Sequence, residues 1–143
     1  MDRVHFIVCL FLGIFFAYIS IPVFGYGAAI AIPSDVLLPF AKNFPTATLA
    51  SIDLITQALP LCLIYCALAL LIKHFKLLSH WYYLALVVPF YMLHSYLFIL
   101  QLPAQNLGHA LGILLPKYIA LGLIVFYFVN EAFNKQKAYQ ENN

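Results

Sequence analysis

Residues 4–25 of the chain read VHFIVCLFLGIFFAYISIPVFG. This run is almost entirely apolar, and it reaches the roughly 20 residues that a helix needs to cross about 30 Å of hydrocarbon. It is also longer than the core of a secretory signal, which spans about 7–15 residues. Backbone polar groups in lipid must be satisfied within their own segment, which favours a helix. We therefore interpret the run as a retained first membrane span.

Three further apolar segments have the same character. They cover residues 47–72, 81–102 and 107–130. Each is long enough for a transmembrane helix, whereas the strands of a barrel would be shorter and would alternate apolar with polar residues. The sequence predicts an all-α, polytopic membrane protein. We expect a single domain of residues 1–143, with four transmembrane helices in an antiparallel bundle and a polar C-terminal tail at 134–143.

The composition also indicates a lipid environment. Of the 143 residues, 65% are hydrophobic and only 8% are charged, whereas about a quarter of the residues in soluble domains are charged. The net charge of +2 comes from scattered residues and not from a basic run that could follow a phosphate backbone. Nucleic acid is therefore not an expected partner. The expected partners are the lipid bilayer and either another membrane protein or a second copy of the chain.

The positions of lysine and arginine predict the orientation. With four spans, most basic residues fall on one side of the membrane: Arg3, Lys73, Lys76, Lys135 and Lys137. Lys42 falls on the other side. Because loops rich in lysine and arginine stay in the cytoplasm, we expect cytoplasmic termini and a cytoplasmic 73–80 loop. Residues 26–46 and 103–106 would then face outward. The expected location is a bacterial inner (plasma) membrane, which the protein crosses several times.

The segment between the first two spans, residues 26–46, combines prolines with apolar side chains. Its prolines, Pro33, Pro39 and Pro45, argue against one continuous helix. Apolar residues such as Phe40 and Phe44 favour a broken segment on the membrane surface or folded back over the helices. A plain interfacial connector is the main expectation, and a lid or a partner surface is the alternative.

Small residues recur at helical spacing in the first two spans. They are Cys9, Gly13, Ala17 and Ser20 in the first span, and Ala58, Cys62 and Cys66 in the second. Because small residues let helix backbones approach closely, we expect helix packing at Gly13, Ala17, Cys62 and Cys66. Contact between the first two helices is the simplest interpretation, and a dimer surface is the alternative.

A polar layer inside the membrane is the main candidate site. Counting the helical rise from the ends of the spans places polar residues from all four at similar depth. They are Tyr18, Asp53, Gln57, His94 and Lys117. Ionisable groups at this depth are costly and usually face the interior of the protein. The sequence therefore predicts a polar binding layer enclosed by the helices.

This layer has two other interpretations. Asp53 and Lys117 could pair purely as internal support, with His94 bonded to a neighbouring helix. Alternatively, the fourth helix could begin at Pro116, since proline is favoured at the first position of a helix. Lys117 would then lie at the membrane surface and the layer would lose it.

The sequence predicts no metal site, no cofactor and no catalytic residue. His5, His74 and His80 fall near the cytoplasmic surface with no cysteine or carboxylate at ligand spacing. A haem with two histidine ligands would need a second histidine facing His94. Common catalytic motifs, such as the nucleophile elbow and the zinc-binding His-Glu-x-x-His, do not occur in the chain.

Three functions remain open at this point. The main hypothesis is a small non-enzymatic membrane protein that acts by binding, as an accessory or regulatory subunit or an immunity-type protector in a membrane assembly. The first alternative is an oligomeric small transporter or a proton- or ion-conducting subunit that uses Asp53, His94 and Lys117. The second alternative, an intramembrane enzyme, has the least support.

Overall fold

The computed structural model describes residues 3–29, 33–77, 79–101 and 107–141. Within these ranges the regular secondary structure is entirely helical. The helices are α1 (Arg3–Ala29), α2 (Ser34–Asn43), α3 (Pro45–His74), α4 (His80–Gln101) and α5 (Leu107–Glu141). Of these, α1, α3, α4 and α5 are long and apolar enough to cross a membrane. They confirm the prediction of an all-helical chain with four candidate spans, and they indicate an integral membrane protein.

The segment between the first two long helices contains α2, a short helix of ten residues. The chain is extended at Pro33 before it and leaves helical geometry at Phe44 after it. Pro45 then begins α3, where its missing N–H is harmless. Two of the three prolines therefore mark helix boundaries, while Pro39 lies inside α2.

The last helix is longer than the apolar run that predicts it. α5 continues through the predicted polar tail to Glu141, for a total of 35 residues. Ion pairs from Glu131 to Lys73 and Lys135, at 2.8 and 2.7 Å, link its polar end to α3 and to its own next turn. The predicted polar tail at 134–143 is thus a continuation of α5 up to Glu141. Residues 142–143 and the predicted outer loop at 103–106 lie outside the described residues.

A wide turn interrupts α3 in its middle. Leu54–Ala58 form a π-helical turn, in which the Leu59 N–H bonds to the Leu54 carbonyl. Pro60 follows at once; it has no N–H to donate, and its ring would clash with the carbonyl four residues earlier. A π-turn next to a proline relieves that clash by shifting the hydrogen-bond register. The extra residue in the turn rotates the rest of α3 relative to its first part.

The core lies where α1 meets α4. Gly13 of α1 sits so close to α4 that a Cβ atom there would lie 2.5 Å from the Ala85 carbonyl oxygen. Next to this contact the Phe16 ring lies 5.3 Å from Phe90 and 6.1 Å from Tyr65, measured between ring centroids. The structure therefore places Gly13 and Ala17 at a helix–helix contact. The partner of Gly13 is α4, the third long helix, and not the second one as expected.

The cysteines of α3 lie beside its buried face and not at its centre. The most buried residues of this part of the helix are Leu61, Tyr65, Ala69 and Ile72. Cys62 and Cys66 are only half-buried, although they pack against the edge of the core. The packing predicted for Cys62 and Cys66 is thus contact with the edge of the core, while the neighbouring Leu61 and Tyr65 lie on the buried face.

Candidate functional site: a buried polar cluster

Three of the predicted residues form a closed hydrogen-bonded group between α3 and α5. The Lys117 Nζ donates to Asp53 Oδ2 at 2.9 Å and to Gln57 Oε1 at 2.7 Å. The Gln57 amide nitrogen donates to Asp53 Oδ1 at 2.9 Å. Each residue therefore contacts the other two. We call this group the Lys117 triad. It combines one positive and one negative charge with a neutral amide.

The triad is well shielded from the surroundings. The side chain of Lys117 is 7% exposed and that of Asp53 is 19% exposed. Lys117 lies in the interior of α5, because the helix begins at Leu107 and continues through Pro116. The alternative in which the helix starts at Pro116 and Lys117 reaches the surface is therefore wrong. An isolated charge this deep would be strongly unfavourable, so the ion pair removes a large desolvation penalty.

His94 of α4 belongs to a second polar group next to the triad. Its Nε2 lies 2.7 Å from Ser20 Oγ and its Nδ1 lies 3.4 Å from the Tyr118 hydroxyl. The Ser20 hydroxyl donates to the Ala17 carbonyl, so its oxygen is free to accept a hydrogen bond from the Nε2–H group of His94. The Tyr118 hydroxyl then donates to Nδ1. These contacts fit a neutral imidazole with its proton on Nε2.

One aromatic ring connects the two polar groups. Phe24 of α1 lies edge-on to the His94 ring, with 4.6 Å between centroids. The Lys117 Nζ lies 4.7 Å from the centre of the same Phe24 ring. An ammonium at that distance is attracted by the negative face of the ring. Lys117 is therefore stabilised by Asp53, by Gln57 and by Phe24 on a third helix.

Residues of both groups line a cavity of about 300 Å³. Its polar lining comes from Gln57, His94, Lys117 and Tyr118, and much of the remainder is apolar. A neighbouring cavity of about 210 Å³ also reaches His94 and Tyr118. The first volume lies at the lower end of the range for small-molecule sites. The cavity could offer a cationic donor, a neutral imidazole and an amide to a small polar or anionic ligand.

Tyr18 is the one predicted member that does not join the cluster. Its side chain is 67% exposed, because it follows Ala17 directly and so leaves the face that Gly13, Ala17 and Ser20 share. Its position is corrected to the outer surface of α1. The prediction from depth alone specified the level of Tyr18 but not its side of the helix.

Sequence reasoning missed several partners of the cluster. Ser20 was noted only as a small packing residue, yet it bonds to His94. Phe24 lies four residues later on the same helical face, so that spacing could have revealed it. Tyr118 follows Lys117 directly. The Tyr91 hydroxyl donates to the backbone carbonyl of Tyr118 at 2.9 Å. No simple pattern distinguishes Tyr118 from the many exposed aromatic residues, whereas Tyr91 lies three residues before His94 on the same predicted interior face.

The described residues also limit the chemistry of the cluster. Within the described ranges, no buried side-chain nitrogen or oxygen lacks a hydrogen-bond partner. The same part of the chain holds no group of three histidine, cysteine or acidic residues close enough to bind a metal ion.

No known protein family, curated protein or solved structure gives a match to this chain. Its class therefore follows from its own helices: they are those of an integral membrane protein with a buried ion pair between two candidate spans.

Proposed function

We propose that the protein crosses a bacterial inner membrane four times, as an antiparallel bundle with both termini in the cytoplasm. Contacts at one end of the helices support this arrangement. Val8, near the start of α1, and Leu71, near the end of α3, line the same cavity. The Nδ1 atom of His80, the first residue of α4, lies 3.3 Å from Oε1 of Gln136 in α5. The basic residues expected in the cytoplasm, including Lys73, gather at this end.

The main proposed function is binding, in which the protein is an accessory or regulatory subunit, or an immunity-type protector, of a membrane assembly. The observation that carries this proposal is the exposure of α2, which lies outside the four long helices. Phe40 is 66% exposed and Phe44 is 69% exposed. Together with residues of α3 they line a groove of about 370 Å³. Exposed apolar surfaces outside the spans are typical of contacts with proteins or with the membrane surface.

The Phe40→Ala variant tests this function. We expect it to lose most of a stoichiometric membrane partner when the tagged protein is purified from its native membranes in mild detergent. Removing the ring of a central anchor residue typically weakens binding by about 2 kcal/mol or more, which is roughly 30-fold. The measurement is the ratio of partner to tagged protein after purification.

Phe11→Ala is a matched control for this experiment. Phe11 is 67% exposed, like Phe40, but it lies within the first apolar span. Its replacement removes the same area from a lipid-facing surface and should leave the partner ratio unchanged. Equal retention of the partner by both variants would exclude α2 as the binding surface, and the absence of a stoichiometric partner from the wild-type protein would exclude the subunit function.

The second proposed function is a small transporter or an ion-conducting subunit. The cavity beside Lys117 and His94 favours it, because it places ionisable groups of two helices next to open space. Four helices rarely enclose a complete pathway alone, so this function would require an oligomer. A ligand would bind by sharing the Lys117 ammonium with Asp53 and Gln57.

A further inference from the structure

A basic pocket lies at the opposite end of the helices from α2. It has a volume of about 330 Å³, and its charged lining comes from Lys73, Lys76, Glu131 and Lys135. Three lysines thus face one carboxylate, which leaves an excess of positive charge. Its remaining walls are Leu77, Tyr83 and Ala132. The pocket is separate from the Lys117 triad and from the groove beside α2.

Glu131 holds two of the lysines in place. Its Oε1 accepts from Lys73 at 2.8 Å and from Lys135 at 2.7 Å. The side chains of Lys73 and Lys135 remain 45% and 48% exposed. An ammonium group has three donors, so each lysine keeps donors for a further ligand. The carboxylate therefore orders the pocket without occupying all of its donors.

Lys76 contributes a charge that no acidic residue in the described ranges balances with an ion pair. Its side chain is exposed. Its backbone φ is 55°, a left-handed conformation that usually favours glycine. The Lys76 N–H bonds to the Lys73 carbonyl and the Leu77 N–H bonds to the Ile72 carbonyl, which close α3 as a Schellman motif. Lysine thus occupies a position whose backbone conformation glycine would adopt more readily.

Backbone carbonyl oxygens at the C-terminal end of a helix repel anions. Several of those at the end of α3 already accept hydrogen bonds, so they repel an anion in this pocket less than unbonded carbonyls would. The capping bonds of Lys76 and Leu77 already occupy the carbonyls of Lys73 and Ile72. The Phe75 N–H likewise bonds to the Leu71 carbonyl. The lysine ammonium groups are therefore the strongest electrostatic feature that remains at this helix end.

We propose that this basic pocket binds the phosphate group of a membrane phospholipid that carries a net negative charge. The pocket lies where the apolar runs at 47–72 and 107–130 end in the sequence, which is the level of the lipid headgroups in a membrane protein. A phosphate can accept from several ammonium groups at once, and clusters of lysine next to a span attract anionic lipids. Leu77 and Tyr83 provide apolar walls for the neighbouring part of the lipid. This site does not depend on the proposed partner or transport function.

Native mass spectrometry of the full chain with phosphatidylglycerol and phosphatidylcholine tests the site. We expect the wild-type protein to retain phosphatidylglycerol selectively. The Lys76→Asn variant should bind it about fivefold more weakly, the change expected for one lysine at an anionic lipid surface. Asparagine tolerates the left-handed conformation better than lysine does. The variant should therefore fold at least as stably as the wild type, which a melting curve checks.

Lys42→Gln is the matched control, because it removes one exposed lysine from the opposite end of the molecule. It should leave lipid retention unchanged. Equal retention of phosphatidylglycerol by the wild type and both variants would overturn the proposal. Titration with inorganic phosphate distinguishes a site for a lipid headgroup from a site for free phosphate. If free phosphate binds in a Lys76-dependent way while phosphatidylglycerol shows no preference over phosphatidylcholine, the lipid assignment is overturned.

Discussion

Replacing either charge of the Asp53–Lys117 pair should destabilise the protein by about 3–5 kcal/mol, while replacing both should cost much less. The two atoms Nζ and Oδ2 lie 2.9 Å apart, and the Lys117 side chain is only 7% exposed. Asp53→Asn leaves a buried cation without its counter-ion, and Lys117→Met leaves a mostly buried carboxylate without its counter-ion. The double variant leaves neither. Thermal unfolding in detergent and the yield of folded protein measure the effect.

A control comes from the exposed pair between Lys73 and Glu131. Its side chains are 45% and 26% exposed, so Lys73→Met should change the unfolding temperature little. Additive losses in the Asp53→Asn, Lys117→Met double variant would contradict the idea that the two charges neutralise each other. Activity then separates the two proposed functions. A stable double variant that keeps its binding partner identifies the triad as structural support, whereas a stable variant that loses transport identifies it as the transport site.

Gly13→Ala should lower the stability by about 3 kcal/mol or more, although it adds only one methyl group. The new Cβ would lie 2.5 Å from the Ala85 carbonyl oxygen and 2.7 Å from that of Leu86. Both are backbone atoms of α4, so no side-chain rotation can relieve the contact. Overpacking usually costs about 1–3 kcal/mol, and a clash with backbone atoms falls at the upper end or beyond. Gly13→Leu should separate α1 from α4 altogether.

Gly25→Ala is the matched control on the same helix. A Cβ at Gly25 would have no atom within 4 Å apart from the neighbouring residues and backbone of its own helix, so the added methyl group should be neutral or slightly stabilising. Phe15→Leu should also be mild, because Phe15 is 59% exposed. The measurement is the unfolding temperature of each variant in the same detergent. Equal temperatures for the two alanine variants would disprove the close approach of α1 and α4 at Gly13.

The sequence was sufficient for the long helices because membrane insertion imposes a strong requirement. A segment that crosses lipid must be long and apolar and must satisfy its own backbone, and each of these conditions can be read residue by residue. The pairing of Asp53 with Lys117 could be anticipated for a related reason. Two opposite charges at similar depth have few ways to avoid a large desolvation penalty other than meeting.

The rest depended on features that a linear pattern does not contain. The four-residue spacing of Cys62 and Cys66 predicts that they share one side of α3, but it does not show that Leu61 and Tyr65 beside them are more deeply buried. Small residues on α1 predict a close neighbour but do not identify it, and α4 was found there. The end of α5 is polar, yet pairs such as Glu131 with Lys135 support a helix at four-residue spacing.

The most direct test of the account is the sidedness of two engineered cysteines in a chain whose own residues Cys9, Cys62 and Cys66 are replaced. Ser34→Cys lies at the start of α2 and Ser79→Cys lies just before α4. In intact spheroplasts, a membrane-impermeant maleimide should label the first variant and should label the second only after permeabilisation. Labelling of Ser79→Cys but not Ser34→Cys in intact spheroplasts would reverse the orientation. Labelling of both would contradict the four-span arrangement itself.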